Sequence, residues 1–462
     1  MNDLLRIRFV SRLTASRAYP RAARIVTLAA LGLLIAGGIA APHVSERMAG
    51  TLRNTNLAAL IVWSLWWPLV IITAAVLGRI WCQICPMELV NSLVSPFGLR
   101  KKAPRFFTSG WGIAVFYSLA LLGFVRTFSA NRYPERMAMF FLFLLASALV
   151  AGLIFERRAF CDHLCPVGRI LGLYACCAVL EWRVRVPNTC EACQGKDCAA
   201  GSDPGQTSGC PSRLYPASLK DNRDCLTCTQ CRKVCPGDNL RFSLRKPMAD
   251  FFSGLRLRNV ELYLLFLVSG LVVWELAEEW APARRVLEFV PSAINSRFGF
   301  SGEAATLVQT LFLFVVVPGL LYLIPGLAGK WLNKTTLLES ARAFALVFLP
   351  LVALGHIVKA LVRITSRLPY YGLAVRDPVG YSTAAAISSG NIRIDTRFAD
   401  VVAPWVSWLA MLILAGAFLS VWWIAWTSPA CRSFGRPGRI SHLVTVTVYG
   451  AAMVMIVAFA RF

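Results

Sequence analysis

The chain has 462 residues, 57% of them hydrophobic and only 16% charged, with 14 tryptophans and 15 cysteines. Soluble domains run nearer to 45–50% apolar and about 25% charged, which excludes a single soluble globule. The formal charge of +24 invites a nucleic-acid reading. In so apolar a chain, however, the basic residues belong on the loops of a membrane protein, and no nucleic-acid partner is expected.

Residues 1–23 read as a basic cytoplasmic tail. Runs long enough to cross a hydrocarbon core about 30 Å thick follow at 24–42, 57–77, 110–128, 137–155, 260–277, 305–326, 342–361, 402–426 and 442–460. The first lacks a small-residue cleavage site and reads as an anchor helix rather than a signal peptide. With the N-terminus inside, 33 of the 48 Lys and Arg residues fall on the inner side, as the positive-inside rule asks. The basic tail and the cluster Arg100, Lys101, Lys102 and Arg105 suit contact with an anionic inner leaflet. Nine spans then leave the C-terminus outside.

The expected fold is an all-α polytopic membrane protein of about nine transmembrane helices carrying a small cytoplasmic ferredoxin-like (α+β) insert. Its parts are the tail, a four-span block at 24–180, the insert at 181–247, and a C-terminal membrane domain at 248–462 with an outside loop at 362–401.

Fourteen of the cysteines lie between residues 82 and 235. On the inner, reducing side, metal or redox roles are favoured over disulfides. Cys225, Cys228, Cys231 and Cys235 form the C-x2-C-x2-C-x3-C-P run that wraps a [4Fe–4S] cube, its fourth thiol serving a second cube. Cys190, Cys193 and Cys198, with Cys210 followed by Pro211, supply the complement. Exchanging fourth ligands gives one cluster from Cys190, Cys193, Cys198 and Cys235, and another from Cys210, Cys225, Cys228 and Cys231. Structural zinc is the bland alternative.

GRIWCQICPMELV and ERRAFCDHLCPVGRI place Cys82/Cys85 and Cys161/Cys165 after the second and fourth spans, 79–80 residues apart. Each unit follows a two-span hairpin, so residues 24–100 and 110–180 read as a parallel internal repeat. The four thiols suit a third cluster, a redox-active dithiol pair, or plain packing. His163 reads as a surface histidine. Cys176, Cys177 and Cys431 read as buried free cysteines, the first two mid-helix.

These motifs together, over about residues 57–247, resemble the NosR/NapH-type membrane polyferredoxins. The resemblance implies a bacterial inner-membrane protein with its clusters facing the cytoplasm. Such a protein relays electrons between a cytoplasmic or quinol donor and an extracytoplasmic flavoprotein, cytochrome or reductase. The first Cys-Pro motif is one residue shorter than the family's C-x3-C-P. The periplasmic flavin-binding domain of the nitrous-oxide branch has no counterpart, and about 200 C-terminal residues exceed the compact nitrate-reductase type.

In that C-terminal half, His356 and Lys359 are intramembrane ionisable residues and therefore candidates for quinone or proton exchange. Glu275, Glu278 and Glu279 form an acidic patch at the end of the fifth span. No substrate-converting site is legible, so the chain reads as an electron-transfer subunit of an oxidoreductase system with no catalytic residues of its own. The alternative is a copper reductase or assembly factor for a respiratory oxidase or reductase, since soft thiolates suit Cu(I).

Overall fold

The computed structural model describes residues 3–156, 158–200, 209–432 and 434–459. The protein is mostly helical. Eight helices among the described residues are long and apolar enough to cross a membrane. They are α1 (Arg21–Ile39), α2 (Leu57–Leu77), α4 (Pro134–Ile154), α5 (Asn259–Ala277), α6 (Gly302–Asn333), α7 (Leu337–Arg376), α8 (Arg397–Thr427) and α9 (Arg436–Phe459), with a shorter apolar helix, α3 (Trp111–Thr127), between α2 and α4. Each of the nine expected spans has a counterpart, the third falling short of the full length.

Prolines inside these helices are accommodated locally. A proline ring clashes with the carbonyl four residues earlier and lacks its own N–H. For Pro68 that carbonyl belongs to Ser64 and for Pro318 to Phe314. The chain widens into π-helical turns at Val62–Trp66 and Phe312–Val316, around these two residues, which takes up the disrupted hydrogen bonds without breaking the span.

The outside loop expected at 362–401 is largely helical. α7 runs for 40 residues to Arg376, a further helix occupies Tyr381–Ser388, and α8 begins at Arg397. At 1.5 Å per residue α7 is about 60 Å long, twice the hydrocarbon thickness. Its start is fixed by a capping box. The Thr336 hydroxyl accepts from the Glu339 N–H at 3.2 Å, and the Glu339 carboxylate accepts from the Thr336 N–H at 3.1 Å. Hydropathy ends at Leu361 because the side chains become polar, whereas the backbone keeps its hydrogen bonds.

Contacts divide the chain into two units. The first comprises Met1–Leu31, Thr73–Ile113 and Phe143–Leu255; the second comprises Gly32–Ile72, Ala114–Leu142 and Arg256–Phe462. The second is a helical bundle centred on α7, whose residues from Ala343 to Ala353 are all buried.

The first unit holds a two-stranded antiparallel sheet, β1 (Leu180–Val184) with β2 (Leu240–Leu244), in the register that sets Trp182 opposite Phe242. Their rings lie 5.4 Å apart, a cross-strand pair that pins this register. The N-terminal tail packs on this sheet, with Arg6, Arg8, Arg12 and Arg17 exposed. Asp3 bridges to Ser243, and Leu5 is buried beside Trp182 and Leu240. Arg232 donates to the Ser11 carbonyl at 3.1 Å and to the Thr14 hydroxyl at 2.5 Å.

Candidate metal centres

The two Cys-Pro units share one local structure. A short helix carries the first thiol (Ile80–Gln83 and Ala159–His163), and a nine-residue helix follows (Pro86–Val94 and Pro166–Tyr174). Proline suits the first helical position, because its missing N–H has no partner there. It also pushes the preceding residue into extended conformation, so Cys85 and Cys165 become N-caps. Each thiol thus stands at a helix N-terminus, where the dipole favours anionic sulfur. The Gly168 N–H donates to the Cys165 sulfur at 3.4 Å.

The four thiols converge. Cys85 feels the charges of Cys165 and Cys82, Cys161 that of Cys85, and Cys165 those of Cys161 and Cys82. Burial first, then this mutual repulsion, pushes Cys85 and Cys165 up to about 12. Cys161 rises further, although Arg158 opposes the shift.

Charged residues that the sequence reading did not connect surround this set. Glu88, one turn into the helix after Cys85, is 3% exposed. It pairs with Arg24, and with Arg158 at 3.2 Å. The signal was present in the repeat itself, since Arg79 and Arg158 each precede the first thiol of their unit by three residues.

The insert groups its cysteines into two sets. Cys225, Cys228 and Cys231 share their electrostatic surroundings with Cys210. Cys198 shares its own with Cys235, Cys190 and Cys193, and burial followed by these neighbours lifts it to about 11. The Cys210 N–H donates to the Cys198 carbonyl at 2.8 Å, tying the two sets at the backbone. Residues 201–208, between Cys198 and Cys210, lie outside the described residues.

Around Cys228 the loop is held in an unusual conformation, with Thr227 at φ 52° and Thr229 at φ 64°. β-branched residues rarely enter the left-handed region, and such strain gathers at ligand clamps. Here it curls the chain so that Cys225, Cys228 and Cys231, with Cys210, Leu226 and Trp182, line one cavity. Trp182 donates its indole N–H to the Cys231 sulfur at 3.0 Å, and Asn239 its amide to the Cys190 sulfur at 3.3 Å.

Among the described residues no three of His, Cys, Asp and Glu come close enough to hold a single metal ion. A tetrahedral zinc site with 2.3 Å bonds would bring its sulfurs within about 3.8 Å of one another. All-sulfur donor sets are the ligand chemistry of iron–sulfur groups.

Trp182→Phe keeps a ring in place but removes the donor to Cys231. Hydrogen bonds to sulfur raise cluster potentials, so redox titration followed by electron paramagnetic resonance is expected to show one lowered midpoint with iron content unchanged.

The remaining candidates fall elsewhere. Cys176 and Cys177 are buried in the 3₁₀ turn Ala175–Cys177 that closes the helix begun at Pro166, at its end rather than mid-helix, and Cys431 is also buried. His163 is half-buried. In the second unit, His356 and Lys359 are 3% and 4% exposed on α7 and meet the acidic patch of α5. His356 Nε2 lies 3.8 Å from Glu275, Lys359 pairs with Glu279, and Arg363 donates to Glu275 at 2.7 Å. Nothing local in the sequence links these two groups or marks Arg363 as their partner. Spacing of three and four residues along α7 puts all three cations on one face.

A family model described as a 4Fe-4S binding domain matches the chain twice, at residues 59–105 and 137–184. Each match encloses one Cys-Pro unit, so both copies of the internal repeat resemble an iron–sulfur domain. The chain is 23% identical over 196 residues to "Uncharacterized protein MJ0750" of Methanocaldococcus jannaschii, covering 38% of this chain and 76% of that protein. It is 24% identical over 181 residues to "Uncharacterized protein MJ0749" of the same organism, covering 37% and 68%. Over 135 residues it is 31% identical to "Putative electron transport protein YccM" of Escherichia coli (strain K12), covering 28% of this chain and only 35% of that protein. No solved structure matches the chain.

Proposed function

We propose that this chain is an inner-membrane iron–sulfur electron relay of the NosR/NapH type. It passes electrons between a cytoplasmic or quinol donor and an extracytoplasmic flavoprotein, cytochrome or reductase. The observation that carries the reading is three separate sets of four cysteines, two in the insert and one shared by the halves of a repeat that twice resembles a 4Fe-4S domain.

Cys190, Cys193, Cys198 and Cys235 would hold one [4Fe–4S] cluster and Cys210, Cys225, Cys228 and Cys231 the second. Cys82, Cys85, Cys161 and Cys165 would hold a third. Bound clusters supply one-electron chemistry without rearranging bonds. The chain's part is to hold them in series, exclude water, and direct N–H groups from Trp182, Asn239 and Gly168 at the sulfurs. His356 and Lys359 serve quinone or proton exchange in the second unit. Support for that role is their burial against two carboxylates, Glu275 and Glu279, an arrangement that is costly in a membrane unless used.

Anaerobically purified protein is expected to contain about twelve iron and twelve acid-labile sulfide per chain, four of each per cluster. About eight of each would remove the third cluster. Zinc in place of iron would overturn the relay. The proposed orientation puts the N-terminus and insert in the cytoplasm and the C-terminus outside. A cysteine introduced at Ser218 should then react with a membrane-impermeant maleimide only after the inner membrane is opened, and labelling in sealed spheroplasts would reverse the topology.

A further inference from the structure

Arg79 and Arg158 are duplicated along with the thiols, and both reach beyond their own half of the repeat. Arg79 hydrogen-bonds to Cys82. Its Nη2 also lies against Gly168 of the second copy, 3.0 Å from where a Cβ would stand. Gly168 is the residue whose N–H donates to the Cys165 sulfur. Arg158, only 7% exposed, adjoins Cys161 and crosses to Glu88 of the first copy at 3.2 Å.

Each arginine also holds the insert. Arg79 Nη1 donates to the Arg223 carbonyl at 2.9 Å, two residues before Cys225. Arg158 Nη1 donates to the Ser212 hydroxyl at 2.9 Å, two residues after Cys210. The second insert set is therefore clasped at both ends of its ligand loop by guanidinium groups rooted beside the Cys-Pro thiols. The first insert set has no such clasp from these arginines.

Charge gives the clasp a second consequence. Arg24, Arg79, Arg158 and Arg169 face Glu88, Asp162 and Asp224 around the four thiols, Arg169 pairing with Asp224 at 2.9 Å, which leaves an excess of positive charge. A cube bound by four thiolates is already anionic, and one-electron reduction adds a further negative charge. Fixed cations at a few ångströms in a poorly screened site favour that reduced state.

We propose that Arg79 and Arg158 are paired positioning residues that fasten the second insert cluster to the Cys-Pro centre and raise the potential of that centre. With clusters bound at both sites, the guanidinium groups would bias an electron held at Cys210, Cys225, Cys228 and Cys231 toward the Cys-Pro site. One cluster is oxidised and the other reduced by a single electron, and no bond or proton changes hands. The inference rests on the third-cluster reading above.

The test is an electron paramagnetic resonance redox titration of the full chain, purified anaerobically in mild detergent, as wild type, Arg79→Gln and Arg79→Lys. Arg79→Gln is expected to shift the reduction equilibrium of the Cys-Pro centre about tenfold toward the oxidised form, roughly 59 mV for one electron. Arg79→Lys keeps the charge and should stay near the wild-type midpoint. An unmoved midpoint in Arg79→Gln at full iron content overturns the proposal. If Arg79→Gln loses the centre, Arg79→Lys decides, since a midpoint displaced by the same tenfold despite the retained charge overturns it too. Wild-type protein with only about eight irons is a separate result, which removes the third cluster itself.

Discussion

Replacing Cys85 and Cys165 together with serine is expected to remove about four of about twelve irons while leaving the signals of the two insert clusters intact. These two thiols are the N-caps of the paired helices Pro86–Val94 and Pro166–Tyr174. Serine keeps the cap and close to the same volume, so the helices should survive. What is lost is the soft donor on which an iron–sulfur cube depends. Because the proposed path to the membrane passes through this centre, reduction of the insert should persist while transfer to a membrane or extracytoplasmic acceptor stops. Cys176→Ser is the matched control. That thiol is fully buried, stands apart from all three sets and should change neither iron nor transfer. Iron at about twelve in the double variant would mean that the four thiols hold no cluster.

The parts of this arrangement that were legible in the sequence are those set by short spacing. C-x2-C-x2-C-x3-C-P encodes a loop, and the 79–80-residue offset encodes a repeat, so the grouping of thiols follows from counting. Hydropathy marks where side chains suit lipid. It therefore located the spans but stopped at Leu361, fifteen residues before α7 ends at Arg376. Contacts between distant residues left no such trace. Arg24, Glu88 and Arg158 meet across 64 and 70 residues of sequence, and nothing local in any of the three stretches announces it. The docking of the N-terminal tail left no trace for the same reason. Its arginines resemble a lipid-facing segment, whereas Asp3, Leu5, Ser11 and Thr14 fit a sheet and loop more than 200 residues away. Charge count is silent on that docking, because shape complementarity is invisible in composition.

Glu275→Ala is expected to destabilise the helical unit by about 3–5 kcal/mol, the usual cost of removing one partner from a buried ion pair. The Glu275 side chain is 12% exposed and the Arg363 side chain 23%, with 2.7 Å between them. His356, 4% exposed at the side chain, approaches the same carboxylate. Deleting the carboxylate leaves Arg363 without its hydrogen-bonded partner and with only the weaker charges of Glu278 and Glu279, while Lys359 keeps Glu279. The penalty therefore belongs to the orphaned guanidinium rather than to the lost bond alone. Glu275→Gln with Arg363→Met removes both charges and should recover most of the loss, because replacing a whole buried pair by neutral groups is often close to neutral. Thermal unfolding of the purified chain in detergent, run as a double-mutant cycle, separates the two effects. The same double variant also tests function. If the network exchanges protons or contacts quinol, the variant should fold, keep its iron, and still lose quinol-dependent reduction. If quinol-dependent reduction persists, the charges only hold α5 to α7. A loss below about 1 kcal/mol for Glu275→Ala would show a solvated surface pair instead, removing the physical basis for placing proton exchange at His356 and Lys359.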